Sequence, residues 1–188
     1  MTKLDAVNEL LASCGKRPVT VLDTGGASWA AEAERVIDRK ELEIQSLGWN
    51  YNRRMKVTLS PGGNGKIMVD DTVIEIDSND TDSDRDVVKM GDHLYDKDNN
   101  TDQFTDQVVV TYTERYSFGC IPIQVRRAIL DAAIATFNMD WNSGRGQILK
   151  EQTARNSLAR AFTFNNRTGN VNILDTDDQD RVRGRPRI

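Results

Sequence analysis

Apolar residues recur with a helical period most clearly between Pro122 and Trp141. At about 100° per residue, they fall into two opposite wedges, one made of Ile123, Leu130, Ile134, Phe137 and Trp141, the other of Val125, Ala128, Ala132, Ala135 and Met139. Polar strips separate the wedges, one of them formed by Gln124, Asp131 and Asn138. A helix at the rim of a domain carries one apolar stripe, so two stripes predict a helix that is covered on both sides. The alanine-rich face would let another backbone, from this chain or from a second copy, come close.

Three further segments have the helical period. Thr2 caps the first of them and Gly15 stops it, whereas Ser28 caps the second and Gly48 ends it. A less regular helix covers about Gly146–Phe164. Neither pair of helices can bury its apolar stripes alone, so we predict that all four meet in one bundle.

From Trp49 onward the period of the pattern changes to two residues. In Trp49–Leu59, one set of alternate positions is mostly apolar and the other is polar, which predicts a long, half-buried strand. The glycine-rich segment Pro61–Gly65 predicts a turn. Shorter strands are predicted at Ile67–Val69, Thr72–Ile76, Val87–Met90, His93–Asp96, Asp102–Phe104 and Gln107–Glu114, with a polar loop at Asn79–Asp86.

The predicted fold class is therefore α+β: a four-helix bundle with a small all-β module inserted between helices two and three, and an extended C-terminal tail. The first half of the bundle is expected at residues 1–48 and the β module at 49–119. The second half of the bundle is expected at 120–166, and the tail, which we interpret as a docking segment, at 167–188.

Composition narrows the class of protein. With 188 residues, of which 38% are hydrophobic, the chain is long enough for one ordinary core. It has no apolar run long enough to span a membrane, and no apolar segment near Met1 of the kind found in signal peptides. Cys14 and Cys120 lack the spacing of a disulfide framework or a zinc site, so we interpret both as reduced core thiols of a cytoplasmic protein.

Negative charge is concentrated in the predicted β module. The net charge of −4 already argues against a generic nucleic-acid binder. Between Asp70 and Asp106, thirteen acidic residues face only three cations, Arg85, Lys89 and Lys97. Such a surface repels phosphates, so we predict that the module does not hold DNA.

Two acidic runs resemble the start of a calcium loop. They are Asp80, Asp82, Asp84 and Asp86, and then Asp96, Asp98, Asn100 and Asp102. Arg85 and Thr101 stand where such a loop requires glycine, which favours solvated acidic loops. A small-ligand- or calcium-binding β module on a helical scaffold is therefore the alternative function, and a calcium titration would distinguish it.

No group of residues has the pattern of a catalytic centre. Ser60–Ile67 superficially resembles a phosphate loop, but Ile67 stands where a magnesium-binding Ser or Thr is required, so a turn is favoured. His93 is the single histidine, and no nucleophilic cysteine or serine lies near it in sequence, which indicates a structural or surface role. We predict a protein that is not an enzyme, with no cofactor and no bound metal.

Three stretches resemble one known family. They are Ala6–Val19 (AVNELLASCGKRPV), Arg35–Asn52, and Ile121–Asn138 with its pairs Ile121-Pro122, Ala132-Ala133 and Phe137-Asn138. In this order they are similar to the tail tubular protein A family, the head-to-tail adaptors of short-tailed bacteriophages (podoviruses). The resemblance covers about three quarters of the chain, and its most specific part is Leu47–Asn52 (LGWNYN).

The resemblance implies a virion tail component, assembled in the host cytoplasm, that forms a dodecameric ring under the portal protein and continues the DNA channel. The tail nozzle (tail tubular protein B) and tail fibres would attach to this ring. Genomic DNA would pass through it during ejection without specific binding, and no membrane would be involved. Lys16-Arg17 stands where relatives often carry an acid, and the β module is rich in Asp and Asn. The nozzle and fibre contacts are therefore not carried over residue by residue.

Two partner-binding surfaces are predicted. The first is the alanine-rich face, formed by Ala128, Ala132, Ala135 and Met139. The second is the tail, where an acidic run is followed by Arg181, Arg183, Arg185, Arg187 and Ile188. In an extended segment, alternating arginines lie on one side and can fork onto carboxylates. A solvated, disordered end is the alternative, and the acidic run opposes a third reading, DNA binding.

Deleting Thr176–Ile188 tests the docking tail. Because this segment has few apolar residues to bury, the truncated chain should melt at nearly the same temperature as the full chain while binding portals more weakly. Scanning calorimetry measures the first quantity and portal co-sedimentation the second. Truncated protein that assembles onto portals as well as the full chain does would exclude a docking tail.

Overall fold

In a computed structural model, the described residues are 1–22, 28–78, 85–141 and 146–169, and they form four α-helices and five β-strands. The helices are α1 (Lys3–Ser13), α2 (Trp29–Gln45), α3 (Ile123–Trp141) and α4 (Gln147–Thr168). The strands are β1 (Arg53–Leu59), β2 (Val73–Asp77), β3 (Val87–Met90), β4 (His93–Asp96) and β5 (Val108–Glu114), and a 3₁₀ turn at Phe118–Cys120 precedes α3. The protein is of the mixed α+β class, as predicted.

The predicted ends of α1 and α2 are confirmed. The Thr2 hydroxyl accepts a hydrogen bond from the Asp5 N–H (3.1 Å), and the Asp5 carboxylate accepts one from the Thr2 N–H (2.7 Å), which closes a capping box. Ser28 caps α2 by accepting a hydrogen bond from a backbone N–H of its first turn at 3.2 Å. Gly15 and Gly48 follow the two helices with φ of +69° and +71°, a conformation that favours glycine.

One apolar core lies among the helices, and α3 is central to it. This helix packs against α1, α2 and α4. Members of both predicted wedges are fully buried, Leu130 and Phe137 from one and Val125 and Ala128 from the other. Of the helices in the described part of the chain, none is both long and apolar enough to cross a membrane.

The strands surround a second apolar core. β5 lies between β1 and β2 in an antiparallel three-stranded sheet. β3 pairs with β4 in a hairpin whose turn contains Gly91 (φ +65°). This core is separate from the helical core, and its almost completely buried members include Ile67, Leu94, Val108 and Val110.

The strand predicted from Trp49 begins only at Arg53, and the residues before it form a turn. Trp49 is buried in the helical core and not against the sheet. Most of β1 is exposed, including Met55 at 61%, and a bulge around Lys56 (φ +55°) interrupts the alternation. The predicted strand is therefore confirmed at Arg53–Leu59 but wrong in its start at Trp49 and in its half-buried character. It starts late because the turn redirects the chain before the strand begins.

Two short predicted strands are absent from the described residues. The segment Ile67–Val69 makes a single β-bridge, from Met68 to His93. Asp102–Phe104 makes none, and the bridge next to it joins Thr101 to Asp96. Each segment buries an apolar side chain in the core of the strands, which explains why its pattern resembled that of a strand. Burial without a backbone ladder is therefore enough to produce this sequence signal.

Two smaller predictions also change, and a third is mostly untested. Cys120 is exposed and Cys14 half-buried, so the prediction of two core thiols is wrong for Cys120, although both thiols are free. In the 3₁₀ turn it is Phe118 that is buried. Helix α4 extends to Thr168, one turn beyond its predicted end. The predicted loop Asn79–Asp86 lies mostly outside the described residues.

Two side-chain amides hold the chain where it passes from α2 to β1. The Asn52 side chain accepts a hydrogen bond from the Trp49 N–H (2.8 Å) and donates to the carbonyl oxygens of Gln45 and Glu114 (both 2.9 Å). The Gln45 side chain donates to the Tyr116 carbonyl (2.9 Å) and accepts from the Tyr116 N–H (2.8 Å). Side chains thus satisfy backbone groups that neither a helix nor a sheet satisfies here.

The same turn is attached to α4. The Trp49 indole N–H donates to the Ile44 carbonyl at 2.5 Å, and its ring stacks on Phe162 with centroids 4.8 Å apart. Asn50 donates from its backbone to the Asn165 side chain (2.8 Å) and from its side chain to the Asn165 carbonyl (2.6 Å). We call the residues Gln45, Trp49, Asn50 and Asn52 the junction; they hold the strands to both halves of the helical region.

The variant Asn52→Leu tests the junction. Leucine has nearly the same size but leaves up to three buried backbone groups without this partner, so the free energy of unfolding should fall by about 3 kcal/mol. For a chain of this length that corresponds to a melting temperature roughly 10 °C lower, measured by circular dichroism.

The matched control is Asn166→Leu, which makes the same replacement at an exposed position of α4. Its melting temperature should stay close to that of the wild type, since surface substitutions usually have small effects. If both variants melt alike, the amide of Asn52 does not hold the junction.

Candidate functional site

The predicted alanine-rich face runs from the helical core to the surface. Ala128 is fully buried in the core, Ala135 is 7% exposed, and Ala132 is half-buried against the same core. Met139 at the end of the face is 51% exposed. The three alanines therefore make contacts within their own chain, and Met139 is the member most open to a partner. Partner binding by this face stays a prediction.

A polar seam joins α3 to α4. Arg127 reaches Glu9 of α1 (2.6 Å) and Asp131 of α3 (3.0 Å), and Asp131 also accepts a hydrogen bond from the Ser157 hydroxyl of α4. Two helical turns further along α3, the side chain of Asn138 accepts a hydrogen bond from Lys150 of α4. Asp131 and Asn138 are 4% and 1% exposed. A buried carboxylate is tolerated here because a cation and a hydroxyl both contact it.

The sequence contained a signal for this seam that pattern reading missed. Asp131 and Asn138 are seven residues apart, and so are their partners Lys150 and Ser157, in reverse order. Seven residues are two helical turns, so two antiparallel helices bring such pairs together. The polar strip that separated the two apolar wedges is therefore a contact line and not a solvated edge.

A groove of about 450 Å³ lies where α1 and α2 meet the segment after β5, lined among others by Lys3, Glu41 and Arg115. Burial raises the pKa of the Glu41 carboxyl, and the Arg115 guanidinium at 3.7 Å partly opposes this effect. Burial also raises the pKa of the neighbouring Tyr51 phenol. These groups form a charged boundary between helices and strands.

The second acidic run forms a hydrogen-bonded turn. Asp96 accepts hydrogen bonds from the backbone and the side chain of Asn99 (both 2.9 Å), and Asp102 pairs with Lys66 at 2.6 Å. His93 bonds to Asp92 at 2.8 Å. Among the described residues, no three His, Cys, Asp or Glu side chains are grouped to hold a metal ion. Asp80, Asp82 and Asp84 of the first run lie outside the described residues.

Exposed apolar side chains mark two surfaces that the sequence analysis did not single out. On α4, Ile148 and Leu149 are 84% and 72% exposed. At the hairpin of β3 and β4, Met90 is 48% exposed, and Met68, which bridges to His93, is 57% exposed. Large apolar side chains grouped on a surface are typical of contacts with other proteins.

Most of the predicted docking tail lies outside the described residues, and its first two residues, Arg167 and Thr168, belong to α4. Its binding residues Arg181, Arg183, Arg185, Arg187 and Ile188 lie outside the described residues, which end at Gly169. Their role stays a prediction.

Comparison with known families gives a match over most of the chain. A family model described as "Tail tubular protein" matches residues 4–176, from the first turn of α1 to beyond the end of α4. No curated protein matches the chain.

The variant Ala132→Arg tests the alanine-rich face. Because Ala132 packs against the core, an arginine there must displace buried side chains or desolvate its charge, which should destabilise the chain by about 3 kcal/mol. Circular dichroism measures the melting temperature and mass photometry the assembly. Met139→Arg, at the exposed end of the same face, is the control and should melt normally. Normal melting together with normal assembly of Ala132→Arg would rule out a packing role.

Proposed function

The chain belongs to the tail tubular protein family, and we propose that it is the structural head-to-tail adaptor of a phage virion. Family membership makes it a structural component of a phage tail. Within that tail, we infer a dodecameric ring that joins the portal protein to the nozzle and continues the DNA channel. A ring adaptor needs no catalytic centre, and we assign it no enzymatic activity, cofactor or metal.

The extent of the family match carries this proposal. The match runs from residue 4 to residue 176, so it includes every described helix and strand except the first residue of α1. A shared module would match only the helices or only the strands. We therefore assign the family's structural role to the helices and the strands together.

The junction supports the role of a rigid ring subunit. We propose that residues 1–48 and 120–166 form one four-helix bundle and that residues 49–119 form the β module inserted into it. Hydrogen bonds from Asn52 and Gln45, and from Asn50 to α4, tie the module to both halves of that bundle. A subunit that contacts neighbours on two different surfaces must keep those surfaces in a fixed relation, or the ring does not close.

Partners follow from the proposed position between the portal and the tail. The nozzle protein (tail tubular protein B) and tail fibres would bind the ring, which assembles in the host cytoplasm. Genomic DNA would pass through the channel without specific binding, in keeping with the acidic β module. The part of the predicted tail beyond α4, with its alternating arginines, would dock on the portal or on a neighbouring adaptor.

Native mass spectrometry and electron microscopy test the proposal. The purified chain, mixed with a phage portal, should give a ring of about twelve copies, the number that the family resemblance implies. Portal alone and adaptor alone serve as controls. A chain that stays monomeric with and without portals would contradict the proposed function, and a calorimetric calcium titration with micromolar affinity would instead favour the ligand-binding alternative.

A further inference from the structure

Helix α4 has a well-defined inner and outer side. Ser157 and Ala161 are its buried residues, and Ala161 belongs to the helical core. Ile148 and Leu149, in contrast, are among the most exposed large apolar side chains of the described chain. No described residue covers either of them, although exposing both to water is unfavourable.

The outer side of α4 is also basic. Arg155, Arg160 and Arg167 are all exposed, and within the described residues none of the three makes an ion pair. The single acidic residue of the helix, Glu151, accepts a hydrogen bond from Gln147 at 3.3 Å. We call Ile148, Leu149, Arg155, Arg160 and Arg167 the outer face of α4; its positive charge is uncompensated in the described chain.

The hairpin of β3 and β4 has an outer side with the opposite charge. Alternate residues of a strand share one side, and residues paired across strands share it too. Val88 and Met90 therefore lie beside Tyr95 and His93, and Met68 joins them through its bridge to His93. Val88, Met90 and Met68 are 38%, 48% and 57% exposed. These five residues form the outer face of the hairpin.

Carboxylates border this face. Asp92 and Asp102 lie 2.8 and 3.6 Å from the two ring nitrogens of His93. Asp98 lies in the turn after β4, where its carboxylate accepts a hydrogen bond from the Asp86 N–H. Acidic residues outnumber basic ones fourteen to eight over the whole segment 49–119, so the field around the hairpin is negative.

We propose that the outer face of α4 in one copy docks on the outer face of the hairpin in a second copy. Each face combines exposed apolar side chains with charge opposite to that of the other. Guanidinium groups fork onto carboxylates, and the two methionines can adapt their shape to Ile148 and Leu149. This contact rests on the proposed ring function and names the surfaces that would form it.

The two surfaces differ, which makes the contact head-to-tail. A head-to-tail contact leaves one free copy of each face at the ends of any open chain, and it saturates only when the chain closes into a ring. A second copy fits the outer face of α4 better than DNA does, because phosphates would leave Ile148 and Leu149 unpaired. Binding to DNA is instead one outcome that the experiment distinguishes.

A charge exchange tests the contact in the full chain. The helix variant Arg155→Glu/Arg160→Glu/Arg167→Glu places acid opposite an acidic hairpin, and the hairpin variant Met68→Lys/Met90→Lys places cations opposite the arginines of α4. Each variant alone should self-associate about a hundredfold more weakly than the wild type, because several charged contacts turn repulsive. Mixed in equal amounts, the two variants should assemble again, since each acidic face then meets a basic one.

The matched control is Arg17→Glu/Arg39→Glu/Lys56→Glu, which changes the net charge as much as the helix variant does but at exposed positions of other segments. It should assemble like the wild type. Circular dichroism verifies that each variant is folded, and Arg155→Ala/Arg160→Ala/Arg167→Ala replaces the helix variant if the latter is not. Sedimentation velocity, with and without portals, measures assembly.

The outcomes separate this contact from the proposed function. If the wild type assembles and either variant alone assembles equally well, or if mixing restores nothing, the contact is wrong while the ring stands. If the helix variant assembles normally but loses a salt-sensitive affinity for DNA, the outer face of α4 is a nucleic-acid surface. A wild-type chain that never assembles, even on portals, would overturn both the ring and the contact.

Discussion

The fold depends on how one short turn satisfies its backbone hydrogen bonds. Where the chain leaves α2, the Asn52 side chain bonds the Trp49 N–H and the carbonyl oxygens of Gln45 and Glu114. The Gln45 side chain bonds both backbone groups of Tyr116, which follows β5. The same turn inserts Trp49 into the helical core and binds α4 through Asn50. Two separate apolar cores are thereby held in one fixed relation by polar groups.

Helix α3 shows why apolar pattern and polar contact must be considered together. Its two wedges bury side chains against the other helices, but the strip between them also packs, through Asp131 and Asn138. Leaving either group without its partner would be costly in a buried site, whereas the pair itself adds little net stability. We therefore expect the seam to select the register of α4 along α3 more than to contribute free energy.

Charge is distributed unevenly over the chain, and this bears on assembly. The strands lie in a segment rich in acid, whereas α4 carries four cations and one carboxylate. Individual exposed ion pairs contribute little to stability within one chain. In the proposed ring, such contacts would be repeated between copies and act together, so a modest charge complementarity could direct assembly.

Local chemistry let the sequence determine the parts of this protein that involve only neighbouring residues. The capping signals at Thr2 and Ser28, the glycine stops, the two-faced α3 and the hairpin strands Val87–Met90 and His93–Asp96 all follow from interactions within a few residues. The family resemblance was also readable, because it rests on ordered stretches such as Leu47–Asn52, and the family match confirms it.

Only the tertiary structure decided which helix or strand each of these side chains packs against. In sequence, Trp49 and Asn52 continue the alternation of β1, yet they form a turn, and Trp49 packs in the helical core. The turn forms because Asn52 bonds the carbonyl oxygens of Gln45 and Glu114, two residues that are far apart along the chain. The sequence likewise did not single out Met68 and Ile148 as exposed apolar residues. Whether an apolar side chain is buried depends on what packs over it, and periodicity within one element carries no record of that.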